Sequence, residues 1–300
     1  MGKAVFTTKV DPTYDDLPEV RYHFPKTYLR AAEQAVGDWI VYYEPRRTSG
    51  DESSRGGRQA YFAIAKLRTI EQDLSRDGHF YGFVSDFLEF DRPVPFKEGD
   101  NYYESRLRRA DGATSMGAFR RAVRNLPDAE FDAIVQAGYA TVLSQGNDQH
   151  AGEIPGLKEK QVPFKRPIIE RMVARPFRDA AFARHVKTAY GNTCAMTGLK
   201  IINGGGRAEV QAAHIRPVEF DGPDSVRNGL ALSGTIHWMF DRGLISVDDD
   251  YRILTARGGR IPDRVARLLI PEGRLHVPLS VEAKPHPQFL RFHREKIFVG

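Results

Sequence analysis

Runs of β-branched and aromatic residues dominate the first third of the chain and have the composition of β-strands. They lie at 38–45, 60–70 and 79–96. A polar, glycine-rich loop at 46–58 separates the first two runs, and Pro93 and Pro95 limit where the third can form ladder bonds. The segment 25–36 has the apolar spacing of a short helix that Gly37 ends. Together these patterns predict a small α+β barrel.

The middle of the chain changes from helical patterns to a linker composition. The segment 115–143 predicts helices on either side of Leu126-Pro127, with Asp128 as the expected N-cap of the second. Residues 145–165 are rich in Gly, Gln, Pro and charged side chains. We therefore predict a first domain with a helical extension at 1–150, a linker at 151–165 and a second domain at 166–300.

The second domain opens with a helical pattern at 175–190. One face of this helix carries Phe177, Ala181, Val186 and Tyr190. The following segments predict a tight turn, a strand and a short helix, at 194–198, 209–215 and 233–244. The predicted order around the strand is therefore strand, long loop and helix.

The composition narrows the class of protein. With 300 residues, 41% hydrophobic and 28% charged, the chain can bury the cores of two domains. No apolar run approaches the roughly 20 residues of a membrane-spanning helix, and the N-terminus lacks the apolar core of a signal peptide. We expect a soluble, cytoplasmic protein. The single cysteine, Cys194, excludes an intramolecular disulfide and a zinc site of paired cysteines, so metal ligands must be His, Asp, Glu or Asn.

Charge is distributed unevenly between the two halves. Residues 161–300 carry 22 Lys and Arg against 14 Asp and Glu, a net charge of +8, whereas residues 1–160 carry 22 against 25, a net charge of −3. Arginine is prominent in the basic half, and its planar guanidinium matches phosphate oxygens. The C-terminal half therefore suits a nucleic acid, although a solubilising surface gives the same count.

Four polar side chains with catalytic potential lie between residues 207 and 245. They are His214 on the predicted strand, Asn228 in the loop, and His237 and Asp241 on the predicted helix. His237 and Asp241 are four residues apart, so both leave one helix face and can bind one cation. Imidazole plus carboxylate suits Mg²⁺ or Mn²⁺, and also Co²⁺, Ni²⁺ or Zn²⁺. His214 is a candidate general base, and the Asn228 amide can bridge backbone groups of the loop.

The order of these residues resembles a known motif. His214 and Asn228 are separated by 13 residues, and Asn228 and His237 by 8, as in the HNH endonuclease motif, the ββα-metal finger. The surrounding "YGNTCAMTG", "AAHIRPV" and "NGLALSGTIHWMFDRGLISVD" resemble the branch of that family found in bacterial restriction enzymes. The resemblance implies that His214 activates the attacking water and Asn228 braces the loop. It also implies that His237 and Asp241 bind the metal.

The resemblance covers about residues 175–298 and departs from the family pattern at Ala213. Many relatives have Asp or His immediately before the general base. The metal would then have fewer protein ligands here, or an additional carboxylate from elsewhere. Arg216 and Arg242 are close enough in sequence to the motif residues to contact a phosphate. A solvent-exposed position without a binding role is the equal alternative for each of them.

The N-terminal segment "YHFPKTYLRAAEQAVGDWIVYYEPRR", with "AYFAIAKL" after the polar loop, is similar to PUA-superfamily modules, especially EVE and ASCH-like domains. Such modules are fused to HNH nucleases in modification-dependent restriction enzymes, where they take a flipped-out modified cytosine into an aromatic pocket. The pocket expected here contains Tyr22, Trp39 and Tyr43, with Asp15 or Asp16 as acceptor for the cytosine amino group. Candidate phosphate contacts in the polar loop are Arg46, Arg47, Arg55 and Arg58.

The sequence thus predicts an α+β protein with an N-terminal PUA-like small β-barrel and a C-terminal ββα-metal HNH nuclease domain. We predict a modification-dependent restriction endonuclease that binds double-stranded DNA carrying 5-methyl- or 5-hydroxymethylcytosine and hydrolyses it with one divalent metal. A double-strand cut favours a homodimer or two binding events. The alternatives are an HNH nuclease indifferent to modification, and a nucleic-acid-binding protein with a decayed nuclease domain. The presence of all four motif residues argues against decay.

Overall fold

A computed structural model describes residues 2–8, 16–45, 59–140, 175–257 and 261–300. The chain divides into two compact units, Met1–Val173 and Ala174–Gly300. Within the described residues, no helix is both long and apolar enough to cross a membrane. Several predicted features lie outside the described residues: the linker at 151–165, the polar loop at 46–58 with its four arginines (Arg46, Arg47, Arg55 and Arg58), and Asp15.

A six-stranded mixed sheet forms the centre of the N-terminal unit. Its strands are β1 (Lys3–Thr7), β2 (Arg21–Pro25), β3 (Trp39–Glu44), β4 (Ala60–Gln72), β5 (His79–Pro95) and β8 (Val123–Leu126). The strands lie in the order β2-β5-β4-β3-β1-β8. Strand β1 is parallel to β3, and the other pairs are antiparallel. Two short strands, β6 (Lys97–Glu98) and β7 (Asn101–Tyr102), form a separate hairpin.

The sheet curls into a half-barrel, which agrees with the predicted α+β class. The register between β4 and β5 shifts at three places along their length. Each such irregularity increases the local twist, so two long strands bend instead of remaining flat. The segment 79–96, expected to form one or two strands, is the single strand β5.

Helices of the N-terminal unit are short except for the last. They are α1 (Leu29–Glu33), which follows a 3-10 turn at Lys26–Tyr28, α2 (Met116–Phe119) and α3 (Asp128–Gly138). The predicted helices on either side of Leu126-Pro127 correspond to α2 and α3, but 123–126 is not helical, because it pairs with β1 as strand β8. The N-cap position of α3 is Pro127, not Asp128. The Asp128 carboxylate instead accepts a hydrogen bond from Lys3 Nζ at 3.0 Å, and its charge in the first turn suits the helix dipole.

The C-terminal unit contains a ββα arrangement. Helix α4 (Arg175–Ala189) precedes strands β9 (Gln211–His214) and β10 (Gly229–Leu232), which pair antiparallel, and helix α5 (Gly234–Asp241) follows directly. The remaining elements are β11 (Ile245–Val247), β12 (Ile253–Thr255), α6 (Asp263–Ala266) and α7 (Pro287–Lys296). The predicted strand at 209–215 and helix at 233–244 correspond to β9 and α5.

Candidate active site

A cleft in the C-terminal unit collects the residues singled out by the motif. It has a volume of about 350 Å³ and is lined by His214 from β9 and by His237 and Asp241 from α5. Glu219 and His293 line the same cleft. Because β9 and α5 both border it, a strand-borne imidazole and a helix-borne pair of ligands share one solvent-accessible space.

The imidazole of His214 is held on two sides. Its Nε2 lies 2.8 Å from Oδ1 of Asp224, and its ring stacks on Phe182 of α4 with centroids 3.8 Å apart and an interplanar angle of 12°. Asp224 also forms an ion pair with Arg178, whose Nε and Nη2 lie 2.7 Å and 2.6 Å from Oδ2. The sequence pattern did not indicate Asp224 or Arg178, because no fixed spacing connects a loop carboxylate with a helix 46 residues away.

The Asp224 carboxyl is ionised despite its burial. Its side chain is fully buried, and burial alone raises the pKa of a carboxyl group. The hydrogen bond from His214 and the charge of Arg178 outweigh this effect and hold the pKa of Asp224 below its usual value. The site therefore contains a buried anion placed between an arginine and the candidate base.

Asn228 lies at the end of the loop that connects β9 to β10. The side chain is fully buried. Its Oδ1 accepts a hydrogen bond from the Arg216 N–H, and its Nδ2 donates to the carbonyl oxygens of Arg216 and Pro223, each at 2.9 Å. Residue 222 is a glycine whose backbone lies against the Arg216 carbonyl, since a Cβ there would overlap that carbonyl. The amide thus joins the two ends of the loop.

His237 and Asp241 present donors suited to a divalent cation. His237 Nδ1 lies 2.8 Å from Gln211 Oε1, and a carbonyl oxygen can only accept, so Nδ1 carries the proton. The lone pair is then on Nε2, which lies 3.4 Å from Asp241 Oδ2. Gln211 thereby fixes the ring nitrogen that faces the carboxylate, as the outer partners of metal-binding histidines do. The donor set fits Mg²⁺ or Mn²⁺ and does not exclude Co²⁺, Ni²⁺ or Zn²⁺.

Ala213, which immediately precedes the candidate base on β9, contributes no metal ligand. Its side chain is buried and it pairs with Leu230 in the sheet. Among the described residues, no group of three or more His, Cys, Asp or Glu is arranged to hold a metal. Glu219 is the additional carboxylate along the cleft that the sequence pattern did not place.

The two arginines expected at phosphate have different surroundings. Arg216 donates from Nε to the Phe220 carbonyl at 2.6 Å and lies 5.0 Å from the centre of the Phe292 ring. Arg242 follows α5 and lies 4.6 Å from the centre of the Trp238 ring. Since Trp238 is 53% exposed, Arg242 and Trp238 together form an exposed cationic and aromatic surface beside His237.

The rings predicted for a base pocket lie on two faces of the N-terminal sheet. Tyr22 is buried beside Tyr42, with ring centroids 6.4 Å apart. Tyr43, the next residue of β3, points to the opposite face because side chains alternate along a strand, and its ring packs against Tyr61 at 5.1 Å. Trp39 is half-buried at the start of the same strand. The structure therefore separates Tyr22 from Tyr43, so these two do not line one pocket.

The charges of two carboxylates act on the phenol of Tyr42. Burial is the largest cause of its raised pKa, and the charges of Asp16 and Glu19 raise the pKa further. Asp16 Oδ1 accepts a hydrogen bond from the His23 N–H at 2.6 Å. The Tyr42 hydroxyl is buried without a hydrogen-bond partner among the described residues. The predicted acceptor Asp16 is thus near a ring outside the predicted set.

Comparison with known proteins agrees with the C-terminal geometry. The family model of HNH endonuclease matches residues 194–248, a span that contains His214, Asn228, His237 and Asp241. This segment is an HNH endonuclease domain, and the match supports a DNA endonuclease.

Two solved structures are similar to the chain at low identity. One is the modification-dependent TagI restriction endonuclease, at 15% identity and a TM-score of 0.32 over 97% of this chain and 81% of that chain. The other is the Type IV phosphorothioation-dependent restriction endonuclease ScoMcrA, at 14% identity and a TM-score of 0.20 over 88% of this chain and 48% of that chain. No curated protein sequence matches the chain significantly.

Proposed function

We propose that the cleft between β9 and α5 hydrolyses DNA phosphodiester bonds, with His214 as general base and with His237 and Asp241 as ligands of one divalent cation. The observation that carries this proposal is that all three side chains line one cleft. A base and a cation site on opposing elements are what an in-line attack on phosphorus needs.

Each side chain has one task in this proposal. His214 accepts the proton of the attacking water, which is worth roughly 10²–10⁴ in rate. His237 and Asp241 bind the cation, which when present stabilises negative charge on the phosphate and the leaving oxygen. Asn228 holds the loop that follows His214 in place. Arg242, exposed beside α5, contacts a DNA phosphate, and Arg216 contributes positive charge near the loop.

We further propose that the protein is a restriction endonuclease whose N-terminal unit reads a modified cytosine in double-stranded DNA. In this proposal the unit is a PUA-superfamily module of the EVE or ASCH-like type. Support comes from its aromatic content and from the Asp16 carboxylate, whose charge acts on the Tyr42 phenol. A flipped cytosine offers an amino donor to a carboxylate and a flat face to an aromatic ring, which offsets the few kcal/mol of extrusion. Trp39, half-buried at the start of β3, points to the face opposite Tyr42, so we propose it as an aromatic contact to DNA that is separate from Asp16. Cutting of both strands is assigned to a homodimer or to two binding events.

The test uses the full-length protein and one plasmid prepared in three forms: unmodified, 5-methylated and 5-hydroxymethylated at cytosine. With Mg²⁺ or Mn²⁺, we expect cutting of a modified form and sparing of the unmodified form. The His214→Ala variant, which should bind without cutting, then measures affinity for matching modified and unmodified duplexes. Equal cutting of all three plasmids refutes the proposal that the N-terminal unit recognises modified cytosine. The protein would then be a nuclease that cuts modified and unmodified DNA alike. Absence of cutting in every case refutes the nuclease proposal itself.

A further inference from the structure

We propose that Asp224 is a positioning residue for His214: it fixes the tautomer that carries hydrogen on Nε2, so that Nδ1 is the atom that accepts the proton from water. Arg178 anchors this carboxylate. The inference rests on the proposed function, since it specifies which nitrogen of the general base reacts and what holds the ring.

The two oxygens of Asp224 serve different partners. Oδ1 is 2.8 Å from His214 Nε2, whereas Oδ2 accepts both hydrogen bonds from Arg178, at 2.7 Å and 2.6 Å. The carboxylate is fully buried, the Arg178 side chain is 14% exposed and that of His214 is 17% exposed. Because Arg178 occupies Oδ2 from two nitrogens, the carboxylate cannot rotate without losing both bonds.

The charge of Asp224 decides the tautomer. Burial raises its pKa, but the His214 hydrogen bond and the Arg178 charge lower it by more, so the group is ionised at neutral pH. An ionised carboxylate only accepts hydrogen bonds. The His214 nitrogen that faces it must therefore donate, and in a neutral imidazole the other nitrogen then has the lone pair.

The ring plane is fixed independently by α4. Phe182 stacks on His214 at 3.8 Å and 12°. The helix approaches this closely because residue 229 is glycine, since a Cβ there would overlap Val186 Cγ2 and lie 3.2 Å from the Phe182 ring. One helix thus supplies both Arg178, which holds the anion, and Phe182, which holds the ring.

A purely structural role is the competing explanation. In that case the pair of Arg178 and Asp224 only fastens α4 to the loop, and the contact with His214 has no effect on its protonation. The two explanations differ in the tautomer of His214 and in the cleavage rate of variants that remain folded.

The experiment measures imidazole ¹⁵N chemical shifts in the full-length protein with labelled histidine at neutral pH, with the His214 signals assigned by their loss in His214→Ala. We expect the wild type to show hydrogen on Nε2. In Asp224→Asn, the Arg178 N–H groups should keep the amide oxygen as their acceptor, so the amide NH₂ group faces His214. This NH₂ group donates to His214 Nε2, and the hydrogen of the neutral ring should therefore move to Nδ1. An Asp-to-Asn change beside a catalytic histidine lowers kcat by roughly 10⁴ in the serine proteases. We expect a fall of about 10²–10⁴ in the single-turnover cleavage rate, with the DNA dissociation constant unchanged.

Asp249→Asn is the matched control, because Asp249 also pairs with an arginine of this unit, Arg294, at 2.8 Å. It should leave both the His214 tautomer and the rate unchanged. A wild-type protein with hydrogen on Nδ1 of His214 overturns the proposal even if Asp224→Asn does not fold. A folded Asp224→Asn that keeps hydrogen on Nε2 or the wild-type rate also overturns it. A wild type with hydrogen on Nε2 that cuts no DNA supports the positioning and refutes the proposed nuclease activity.

Discussion

Replacing Asn228 by alanine should destabilise the C-terminal unit through the loop between β9 and β10. The side chain is fully buried and makes three hydrogen bonds, with one N–H group and two carbonyl groups of Arg216 and Pro223. Each buried group left without a partner costs roughly 1–3 kcal/mol. We take about 1 kcal/mol for each, because water can reach part of the loop, and expect the free energy of unfolding to fall by about 3 kcal/mol.

The assay is urea unfolding followed by tryptophan fluorescence. The chain has two tryptophans, Trp39 in the N-terminal unit and Trp238 in the C-terminal unit. In a Trp39→Phe background, the signal therefore reports on the C-terminal unit alone. Asn203→Ala is the control, since Asn203 is exposed and its Oδ1 accepts two turn N–H groups, at 3.1 Å and 2.8 Å. It should cost no more than about 1 kcal/mol. Equal losses in the two variants, or a loss below about 1 kcal/mol for Asn228→Ala, would show that the Asn228 amide does not hold the loop between β9 and β10 together.

Two further predictions concern the metal and the response to pH. His237→Ala and Asp241→Ala should each weaken Mn²⁺ binding measured by calorimetry, and EDTA should stop cleavage by the wild type. Unchanged Mn²⁺ affinity in both variants would show that α5 does not supply the metal ligands. Burial lowers the pKa of His293 from 6.5 to about 4. Between these two pH values the unfolded state therefore binds more protons than the folded state. The free energy of unfolding should fall as the pH falls from 6.5 to 4, by about 3 kcal/mol at most. His293→Gln should show a smaller loss over the same range in urea unfolding, and an identical pH dependence contradicts the assignment.

Local patterns predicted the elements that carry the motif. Strand β9 and helix α5 have periodicities that are visible within a few residues, and the four-residue spacing of His237 and Asp241 places both on one helix face. The local pattern did not predict strand β10, because the four-residue run at 229–232 has no periodicity of its own and becomes a strand by pairing with β9. Strand β8 was taken for helix for a similar reason, since its pairing with β1 joins residues about 120 positions apart in the chain.

The partners that define the site depend on tertiary closure. Asp224 reaches His214, and Gln211 reaches His237, only once the loop has folded back and α5 has packed on β9. Nothing in the spacing of a loop aspartate or a strand glutamine distinguishes it from other polar residues. The separation of Tyr22 from Tyr43 likewise follows from strand alternation, since the ring beside Tyr22 is that of Tyr42, which points to the opposite face of β3 from Tyr43.

The role of His214 as general base is tested most directly by single-turnover cleavage of a duplex carrying the preferred base. The wild type and His214→Ala are compared in Mg²⁺ or Mn²⁺ with equal occupancy of DNA. We expect His214→Ala to bind the duplex with the wild-type dissociation constant and to cut it about 10²–10⁴ times more slowly, and we expect EDTA to abolish the wild-type reaction. Cleavage by His214→Ala at the wild-type rate would show that the cleft between β9 and α5 does not contain the general base.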